Sequence, residues 1–460
     1  MDNNSLNFKT RLSENWIYPK IWIYDNKMVD IESYNQMLKS IEDDISKPVR
    51  LYIHIPICKS FCYFCPYYKE SFGKLTYDDK KAFYGALVKE LEMYAKEPYF
   101  QKHFIGTIYF GGGDPALVES EFMDLILSTI YKNFNVNNLT QVTMEGNVLS
   151  LLDEEKLKLY KQYNVNRISY GVQTFNERLR KKLLIKPTLK DIDNLVDLIN
   201  KYGFKDHSID LMYNIPDQTM DDVVKDIEEA IKLNPMYVDD YAMNLFPNTQ
   251  FAKVIEGGKY FNGKPSNQNM IDMFYKVMEV FEGHGYHKSA SMIFSPEHDE
   301  PHDGLKHFLK SYPMLGVGPS ARGYINRYNY RNVCNIKDYV KAIESGNYSV
   351  EAYNVVSKKE EDERKMVFFP ILMKINKNEL CDITPFEDQI KNLIDLDYMK
   401  WHGDDLILTR KGIMWAGNIQ NYLSNPKEKS RDNSAFLKAI LNKQNPYNQD
   451  SMGISAKSMK

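Results

Sequence analysis

Between residues 50 and 245, short runs rich in β-branched and aromatic residues alternate with longer helical patterns. The predicted strands cover residues 50–55, 107–110, 141–145, 167–170, 207–211 and 240–245. The predicted helices between them include residues 78–94, 119–133, 153–163, 188–202 and 220–233. This alternation indicates βα units around a parallel sheet. Six units predict an α/β fold, a partial (β/α)6 TIM-like barrel whose functional residues lie on loops at the carboxyl ends of the strands.

Two loops at these predicted carboxyl ends carry chemistry. The first strand leads into Cys58, Cys62 and Cys65, within the segment YIHIPICKSFCYFC, and the second leads into GGGDP. Iron–sulfur clusters are held by cysteine thiolates. A [4Fe-4S] cluster with only three protein ligands keeps one iron open for a substrate or cofactor. The C-x3-C-x2-C spacing therefore favours a cluster of this kind.

Other uses of these thiols remain open at this point. A zinc site usually takes four ligands, and His54 lies close enough in sequence to complete a Cys3His set. A disulfide framework would need an oxidising compartment and many cysteines in a short chain, whereas this chain has 5 cysteines in 460 residues. Cys334 and Cys381 lie far from the motif, and we expect both to be small buried apolar residues.

Charge and hydropathy argue against membrane and nucleic-acid roles. The formal net charge is −3, which implies no strong attraction to nucleic acid or anionic lipid. The N-terminal segment MDNNSLNFKTRLSENW has no apolar signal-peptide core, and no apolar run is long enough to span a membrane. We expect a cytoplasmic protein with neither nucleic-acid nor membrane partners.

The predicted barrel, residues 49–250, is flanked by segments of different character. Residues 1–48 form a polar lead-in, and residues 251–350 are expected to extend the barrel on its substrate side. Residues 359–425 have a winged-helix-like pattern. This C-terminal module lacks a dense basic helix, so we expect it to pack over the barrel rather than bind DNA. Residues 426–460 are poor in apolar side chains and are predicted to be a flexible tail.

Several ordered motifs resemble one family. The cysteine spacing resembles that of radical S-adenosylmethionine (SAM) enzymes. The further segments are TIYFGGGDPALV, VTMEGN, RISYGVQTF, IDLMYNIPDQT, YAMNLFPNTQF, LGVGPSARGY and LILTRKGIMWAGNI. Together they resemble the oxygen-independent coproporphyrinogen III oxidases (the HemN-like family) and their relatives, which include a haem chaperone, radical C-methylases and an anaerobic haem-opening enzyme.

The resemblance implies two cofactors. A [4Fe-4S] cluster would sit on Cys58, Cys62 and Cys65, and its open iron would chelate SAM. An electron from the cluster would cleave SAM to a 5′-deoxyadenosyl radical. A reducing donor such as flavodoxin or ferredoxin would supply that electron.

The resemblance also implies a set of cofactor-binding residues, namely Tyr52, Phe64, Gly111, Gly112, Gly113, Glu145, Gln173, Asp210 and Ala242. Tyr52 would lie against SAM, Phe64 over its adenine, and the glycines would let the backbone approach its amino group. Glu145 would bind the ribose hydroxyls. Gln173 and Asp210 resemble binders of a second SAM. The structural alternatives are a strand aromatic for Tyr52, a core ring for Phe64, a turn for the glycines and a solvated carboxylate for Glu145.

Departures from the family pattern bear on the reaction. Tyr67 occupies the position where coproporphyrinogen oxidases usually carry a fourth cysteine, which argues against oxidative decarboxylation. Asp114 replaces the threonine of GGGTP, and a carboxylate beside SAM would favour the sulfonium or act as a base. Tyr67 and Asp114 are the predicted catalytic residues. Ile185, followed by Lys186, replaces an arginine that contacts the second SAM in the family, which leaves a second SAM an open question.

The leading hypothesis is a radical SAM enzyme that modifies a planar unsaturated small molecule such as haem or another tetrapyrrole. In the methylase branch, a methylene radical from a second SAM would add to an sp² carbon, giving C-methylation or ring opening. The alternatives are oxidative decarboxylation of coproporphyrinogen III, a haem chaperone with a SAM-bound cluster, and a peptide or natural-product substrate. Further candidates for substrate contact are Tyr68, His284, His287, His298, His302 and His307, and the 298–307 loop is favoured for haem or a metal.

Overall fold

The computed structural model describes residues 8–14, 18, 31–40, 46–65, 68–243, 250–258, 260–263 and 265–426. The strands are β1 Val49–Ile55, β2 Ile57–Cys58, β3 Glu70–Ser71, β4 Ile105–Gly112, β5 Gln141–Gly146, β6 Arg167–Gln173, β7 Asp206–Tyr213, β8 Tyr237–Ala242, β9 His287–Ala290, β10 Ile293–Ser295, β11 Met314–Val317, β12 Arg322–Ile325, β13 Tyr328–Asn332, β14 Val350–Val355, β15 Lys374–Asn376, β16 Met399–His402 and β17 Asp405–Leu408.

The helices are α1 Ile31–Ser40, α2 Tyr77–Ala95, α3 Pro98–Lys102, α4 Ser120–Asn133, α5 Val148–Leu151, α6 Glu154–Gln162, α7 Glu177–Lys182, α8 Leu189–Lys201, α9 Met220–Lys232, α10 Gln250–Glu256, α11 Asn267–Gly283, α12 Asp303–Leu309, α13 Ile336–Glu344, α14 Lys358–Leu372, α15 Glu387–Asp395, α16 Arg410–Met414 and α17 Ala416–Leu423. In the part of the chain that the structure describes, none of these helices is both long and apolar enough to cross a membrane.

A twelve-stranded sheet forms the barrel wall, in the order β14-β13-β12-β11-β1-β4-β5-β6-β7-β8-β10-β9. The central strands, from β11 to β8 in this order, are parallel. Antiparallel strands continue the sheet on both sides. The order runs from β14 to β9 without closing among the described strands, so the predicted α/β fold with a partial barrel is confirmed.

Successive residues of β1 face alternately the outside of the barrel and its interior, which we call the lumen. Leu51, Ile53 and Ile55 are fully buried and join the apolar core that α2 covers. The intervening Arg50, Tyr52 and His54 project from the opposite face, because successive strand residues point to opposite sides. The lumen is therefore lined by polar and aromatic side chains.

Helix starts in the barrel are fixed by capping boxes. Thr76, Thr188 and Thr219 precede α2, α8 and α9, and each threonine side chain accepts a hydrogen bond from the backbone N–H three residues later. In each case the residue three positions later is an aspartate, and its carboxylate accepts a hydrogen bond from the backbone N–H of the threonine. Such caps contribute about 1 kcal/mol each and define where each loop gives way to its helix.

The predicted strands are all present, and a parallel strand appears that the sequence did not predict. Strand β11 pairs with β1, with Met314 opposite Arg50, and brings the motif LGVGPSARGY beside the first strand. Strand β11 begins 264 residues after its register partner Arg50, so a pass along the sequence in chain order could not place it. Strand β8 covers Tyr237–Ala242, so it begins three residues before the predicted start at residue 240. Met243 follows the strand, and the last two predicted residues, 244–245, lie outside the described residues.

The winged-helix-like C-terminal module is confirmed as a small antiparallel sheet, β15-β17-β16, with helices α14 to α17. An N-terminal strap, residues 8–14, lies between this module and the barrel. Asn418 of α17 accepts from the Leu12 N–H at 2.9 Å and donates to the Thr10 carbonyl at 2.9 Å. Asn267 of α11 makes the equivalent pair of bonds with the Arg11 N–H and the Lys9 carbonyl, each at 2.8 Å. The strap thereby ties the module to the barrel.

The domain boundaries given above remain a prediction. Residues 427–460, which make up almost all of the predicted tail, lie outside the described residues.

Candidate active site

The cysteine loop begins where β1 ends and is closed at its base. Strands β2 and β3 pair with Cys58 opposite Ser71, and the Glu70 N–H donates to the Pro56 carbonyl at 2.6 Å. Inside the loop, the Cys65 N–H donates to the Cys62 carbonyl at 3.4 Å, and Lys69 Nζ donates to the Cys65 carbonyl at 2.9 Å. All three cysteines are free and half-buried. The loop therefore presents three thiols at the carboxyl end of the barrel.

The glycine loop after β4 lies against the base of the cysteine loop. The Gly113 N–H donates to the Ile55 carbonyl at 2.9 Å, and the Asp114 N–H donates to the Ile57 carbonyl at 2.8 Å. A Cβ atom at Gly113 would lie 2.7 Å from the Ile57 carbonyl oxygen. Gly112 has φ +112°, a conformation that favours glycine. The glycines are thus required by the packing of the two loops.

Aromatic and basic side chains form the lumen below these loops. The Tyr52 hydroxyl and His54 Nδ1 are 2.8 Å apart, and the Tyr52 and Tyr109 ring centroids are 6.1 Å apart. The Arg50 guanidinium lies over both tyrosine rings, 5.6 Å from the Tyr52 centroid and 5.4 Å from that of Tyr109. Tyr52 therefore lies inside the barrel and is held by neighbours on both sides, and its contact with SAM stays a prediction.

Three carboxyl groups line the lumen near the carboxyl ends of the strands. Glu145, Asp210 and Asp239 come from β5, β7 and β8, and all three are enclosed by protein while keeping partial solvent exposure. Burial raises the pKa of Glu145 to about 7 and that of Asp239 to about 6. Burial, together with the neighbouring Asp239, raises the pKa of Asp210 well above its usual range. Arg167 is a buried cation whose charge acts on all three.

The residues at this end of the barrel fit the predicted cofactors. Burial raises the pKa of the Cys58 and Cys62 thiols, the latter to about 11. Metal binding requires deprotonated thiols, and the positive charge of iron would stabilise the thiolates here. A Cβ atom at Gly111 would lie 2.8 Å from Glu145 Oε2, so the glycine leaves space beside the carboxyl group predicted to bind ribose.

The arrangement gives the zinc alternative no support. His54 contacts Tyr52, and its ring packs under Gly112, where a Cβ atom would lie 2.8 Å away.

Of the two predicted catalytic residues, Tyr67 lies outside the described residues. Asp114 is buried, and its carboxylate already has partners. The Asn147 N–H donates to Oδ1 at 3.0 Å, and the Ser150 hydroxyl lies 2.7 Å from Oδ1 and 2.8 Å from Oδ2. These contacts tie the glycine loop to the start of α5, and they favour a positioning role for Asp114 over that of a base.

The mouth of the barrel carries an apolar wall. Tyr63 and Phe64 of the cysteine loop, together with Ile185, pack against a cluster that includes Leu183 and Met243. Ile185 is half-buried in this wall, whereas Lys186 is exposed. Where the family has an arginine, this chain therefore has the aliphatic side chain of Ile185, which packs in the wall of the barrel mouth. The neighbouring Lys186 faces solvent.

Gln173 and Ala242 both lie near the carboxyl ends of their strands. Gln173 has φ +72°, which is uncommon for a residue other than glycine, and its Oε1 accepts a hydrogen bond from the Tyr241 hydroxyl at 2.8 Å. Ala242 is buried at the end of β8. Both residues thus lie at the end of the barrel that carries the cysteine loop.

The 298–307 segment lies at the opposite end of the barrel. The Gly304 N–H donates to Gln141 Oε1 at 3.1 Å, and Arg50 Nη1 donates to the Gly304 carbonyl at 2.8 Å. Gln141 and Arg50 stand at the amino ends of β5 and β1. His302 is buried here, which lowers the pKa of its imidazole well below the usual range. The geometry therefore does not bring these histidines to the cysteine loop, and they form a floor beneath the lumen.

Other candidates from the sequence have structural partners. The Tyr68 hydroxyl donates to Glu70 Oε1 at 2.5 Å, which supports the base of the cysteine loop. His284 is exposed at the end of α11 and bonds the Val280 carbonyl. His287 faces Asp299 at 3.1 Å.

Arg167 and Asp239 line the lumen, but no motif in the sequence singled them out. Arg167 is 1% exposed, and its Nε lies 3.4 Å from Asp206 Oδ2. A charged residue that opens a predicted strand was the available signal for Arg167, and the pair Asp239–Asp240 within an otherwise apolar strand was the signal for Asp239.

Comparison with known proteins agrees with this geometry. The family described as "Radical SAM superfamily" matches residues 52–230. The heme chaperone HemW of Buchnera aphidicola subsp. Schizaphis graminum is 28% identical over 378 residues, covering 81% of this chain and 97% of that protein. The anaerobilin synthase of Escherichia coli O157:H7 is 25% identical over 382 residues, covering 81% of this chain and 83% of that protein.

A solved structure shares the fold. Coproporphyrinogen III oxidase (HemN) from Escherichia coli superposes with a TM-score of 0.73 at 18% identity, covering 91% of this chain and 97% of that one. The partial barrel with its three-cysteine loop defines a radical SAM protein. Within that superfamily, the chain is similar over most of its length to HemN-like proteins, among them the HemW and anaerobilin synthase relatives named above. A [4Fe-4S] cluster and SAM are accordingly its cofactors, as the sequence predicted.

Proposed function

We propose that this protein cleaves SAM reductively at the cysteine loop and uses the resulting radical to modify a planar tetrapyrrole such as haem. The observation that carries the proposal is the convergence of the cysteine loop, the glycine loop and the lumen residues Tyr52 and Glu145 at one end of the barrel. Relatives with haem-related names extend over 81% of the chain, which supports a tetrapyrrole as the ligand.

The protein's own residues would bind and orient the reactants. Cys58, Cys62 and Cys65 would hold the cluster and leave one position free for SAM. When bound, the cluster supplies the electron that splits SAM into methionine and a 5′-deoxyadenosyl radical. Glu145 would accept hydrogen bonds from the ribose, and the Gly111–Gly113 backbone would approach the amino-acid end of SAM.

The substrate would lie at the barrel mouth. The apolar wall there, which includes Tyr63, Phe64 and Ile185, offers a surface for the face of a flat macrocycle and would exclude water from the reacting atoms. We propose C-methylation or ring opening as the modification, since both follow from radical addition at an unsaturated carbon.

A second candidate function is delivery of haem without modification. HemW proteins named as heme chaperones match this chain at 28% identity over 97% of their own length. A chaperone would keep the cluster and SAM but return haem unchanged. The two candidates share the site and differ in the product.

The test is an anaerobic assay of protein reconstituted with iron and sulfide, then given dithionite, SAM and haem, with products followed by mass spectrometry. Formation of 5′-deoxyadenosine with a haem of changed mass would support modification, and S-adenosylhomocysteine beside it would support methylene transfer from a second SAM. Bound but unchanged haem would refute modification and favour the chaperone. Cys58→Ser should abolish every product, whereas the matched control Cys381→Ser should not. Cys381 lies in the C-terminal module and is exposed, so the prediction that it is buried was wrong.

A further inference from the structure

Asp210 and Asp239 form a pair of carboxyl groups inside the lumen. They are register partners on the neighbouring parallel strands β7 and β8, so their side chains project to the same side of the sheet. A Cβ atom built at Gly171, the partner of Asp210 on β6, would lie 3.9 Å from Asp210 Oδ2. Like charges directly opposite each other on adjacent strands repel, so the pair needs either a cation or a proton between its members.

The surrounding charges do not fully balance the pair. Besides the pair itself, the titratable and charged groups of the described lumen are Arg50, Tyr52 and His54 on β1, Tyr109 on β4, Glu145 on β5, Arg167 on β6, Asp206 on β7, Tyr237 and Tyr241 on β8, and His302 from the floor. The Arg167 guanidinium already interacts with other groups, since it donates to the Ser208 hydroxyl and faces Asp206. When Asp210 and Asp239 are counted with Glu145 and Asp206, four carboxyl groups face the two guanidinium groups of Arg50 and Arg167.

Arg167 itself has unused hydrogen-bonding capacity. The side chain is only 1% exposed, and its Nη1 has no hydrogen-bond partner among the residues that the structure describes. Its charge acts on both Asp210 and Asp239. A buried guanidinium N–H beside two carboxyl groups is available to the carboxylate that forms when the pair loses a proton.

We propose that Asp210 and Asp239 hold one proton between them in the ligand-free lumen and release it to solvent when a cationic ligand enters. The inference rests on the proposed function, because SAM, with its sulfonium, is the cation that this lumen would receive. The O–H bond of one carboxylic acid breaks, its electron pair stays on the carboxylate, and the proton passes to the buffer. No oxidation or reduction is involved.

Proton release couples SAM affinity to pH. If one proton leaves for each SAM bound, affinity rises with pH by about tenfold per pH unit while the pair titrates. The raised pKa values of Asp210 and Asp239 agree with this direction, because the protonated form is favoured by burial in the absence of a ligand.

The experiment is calorimetric titration of SAM into the reconstituted, unreduced protein at pH 7, in buffers of different ionisation enthalpy. Wild type should release about one proton more per SAM than Asp239→Asn. The matched control is Asp240→Asn, the next residue of the same strand, whose backbone N–H pairs with Met292 and whose side chain lies on the opposite face near Lys288. Asp240→Asn should release as many protons per SAM bound as wild type. The comparison with Asp239→Asn cancels any proton that SAM itself loses on binding.

Infrared difference spectra recorded on adding SAM give a second readout. Wild type should lose the absorption of a protonated carboxyl group, and Asp239→Asn should not. Equal proton release from wild type and Asp239→Asn, with no infrared difference, would overturn the inference even if SAM binds and is cleaved. Failure of the proposed function has a different signature, namely the absence of 5′-deoxyadenosine after reduction.

Discussion

Glu90 is a buried carboxyl group that holds one of the site's supporting loops. It lies on α2 with 0% exposure. It accepts hydrogen bonds from the Gly318 N–H at 2.8 Å, the Tyr339 hydroxyl at 2.7 Å, the Ser349 hydroxyl at 3.1 Å and Asn332 Nδ2 at 3.2 Å. Gly318 lies so close to β1 that a Cβ atom there would be 2.4 Å from the carbonyl oxygen of His54. Glu90 thus fixes the loop after β11 against the strand that leads into the cysteine loop.

The contacts of Glu90 indicate how much unfolding free energy is lost when its carboxyl group is removed. Glu90→Ala leaves four donors without their acceptor and opens a cavity, and breaking a buried network of this kind costs about 3–5 kcal/mol of unfolding free energy. Glu90→Gln keeps the shape and one acceptor oxygen, and the Ser349 hydroxyl can turn to accept from the new amide. We therefore expect Glu90→Gln to cost about 1 kcal/mol at pH 5.

Glu90 also makes stability depend on pH. Burial raises its pKa from the usual 4.5 to about 7. A carboxyl group whose pKa is raised by folding stabilises the protein below its unfolded pKa, and that contribution is lost as pH rises through the folded value. The stability of wild type relative to Glu90→Gln should therefore fall between pH 4.5 and 7.

The assay is urea unfolding followed by far-UV circular dichroism. The matched control is Glu92→Ala on the exposed side of the same helix, which should change the unfolding free energy by about 0.5 kcal/mol or less. The reasoning is refuted if Glu90→Ala costs no more than Glu92→Ala, or if Glu90→Gln costs as much as Glu90→Ala.

Three further substitutions test other contacts. Gly113→Ala would place a Cβ atom 2.7 Å from the Ile57 carbonyl oxygen, so it should lower the iron and sulfide content after reconstitution, whereas Gly73→Ala, which meets no atom within 4 Å, should not. Asn418→Ala removes both bonds to the strap and should cost about 2 kcal/mol in urea unfolding, against little change for the exposed Asn421→Ala. Asp114→Asn keeps an acceptor for Ser150, so it should retain 5′-deoxyadenosine formation, and complete loss with an intact cluster would instead indicate a catalytic base.

Much of the fold could be predicted from local patterns in the sequence. The parallel strands β1 and β4 to β8 could be found because each is a short run with β-branched or aromatic residues, and because helices with start signals such as Thr76 or Thr188 lie between them. Strand β11 could not be found in this way, because its pairing with β1 depends on a contact between distant parts of the chain.

The candidate site likewise contains some parts that local sequence motifs predict and others that they do not. The cysteine and glycine loops are local motifs, and the structure brings them together through the bonds of Gly113 and Asp114. The roles of Glu90 and Arg167 depend on partners brought close by folding, for which the sequence gives no spacing rule. The histidines of residues 298–307 were misleading for a related reason. Their density in sequence suggested a ligand site, but the fold carries them to the amino ends of the strands.

The central claim is that the cysteine loop and the lumen form one SAM-cleaving centre. The most direct test is to measure 5′-deoxyadenosine formed from SAM by the anaerobically reconstituted protein, with and without dithionite, in wild type and in Glu145→Gln. We expect product only after reduction, and less of it at limiting SAM when the Glu145 carboxylate is replaced. Absence of 5′-deoxyadenosine from reduced wild-type protein with an intact cluster would show that the cysteine loop and the lumen do not form a SAM-cleaving centre.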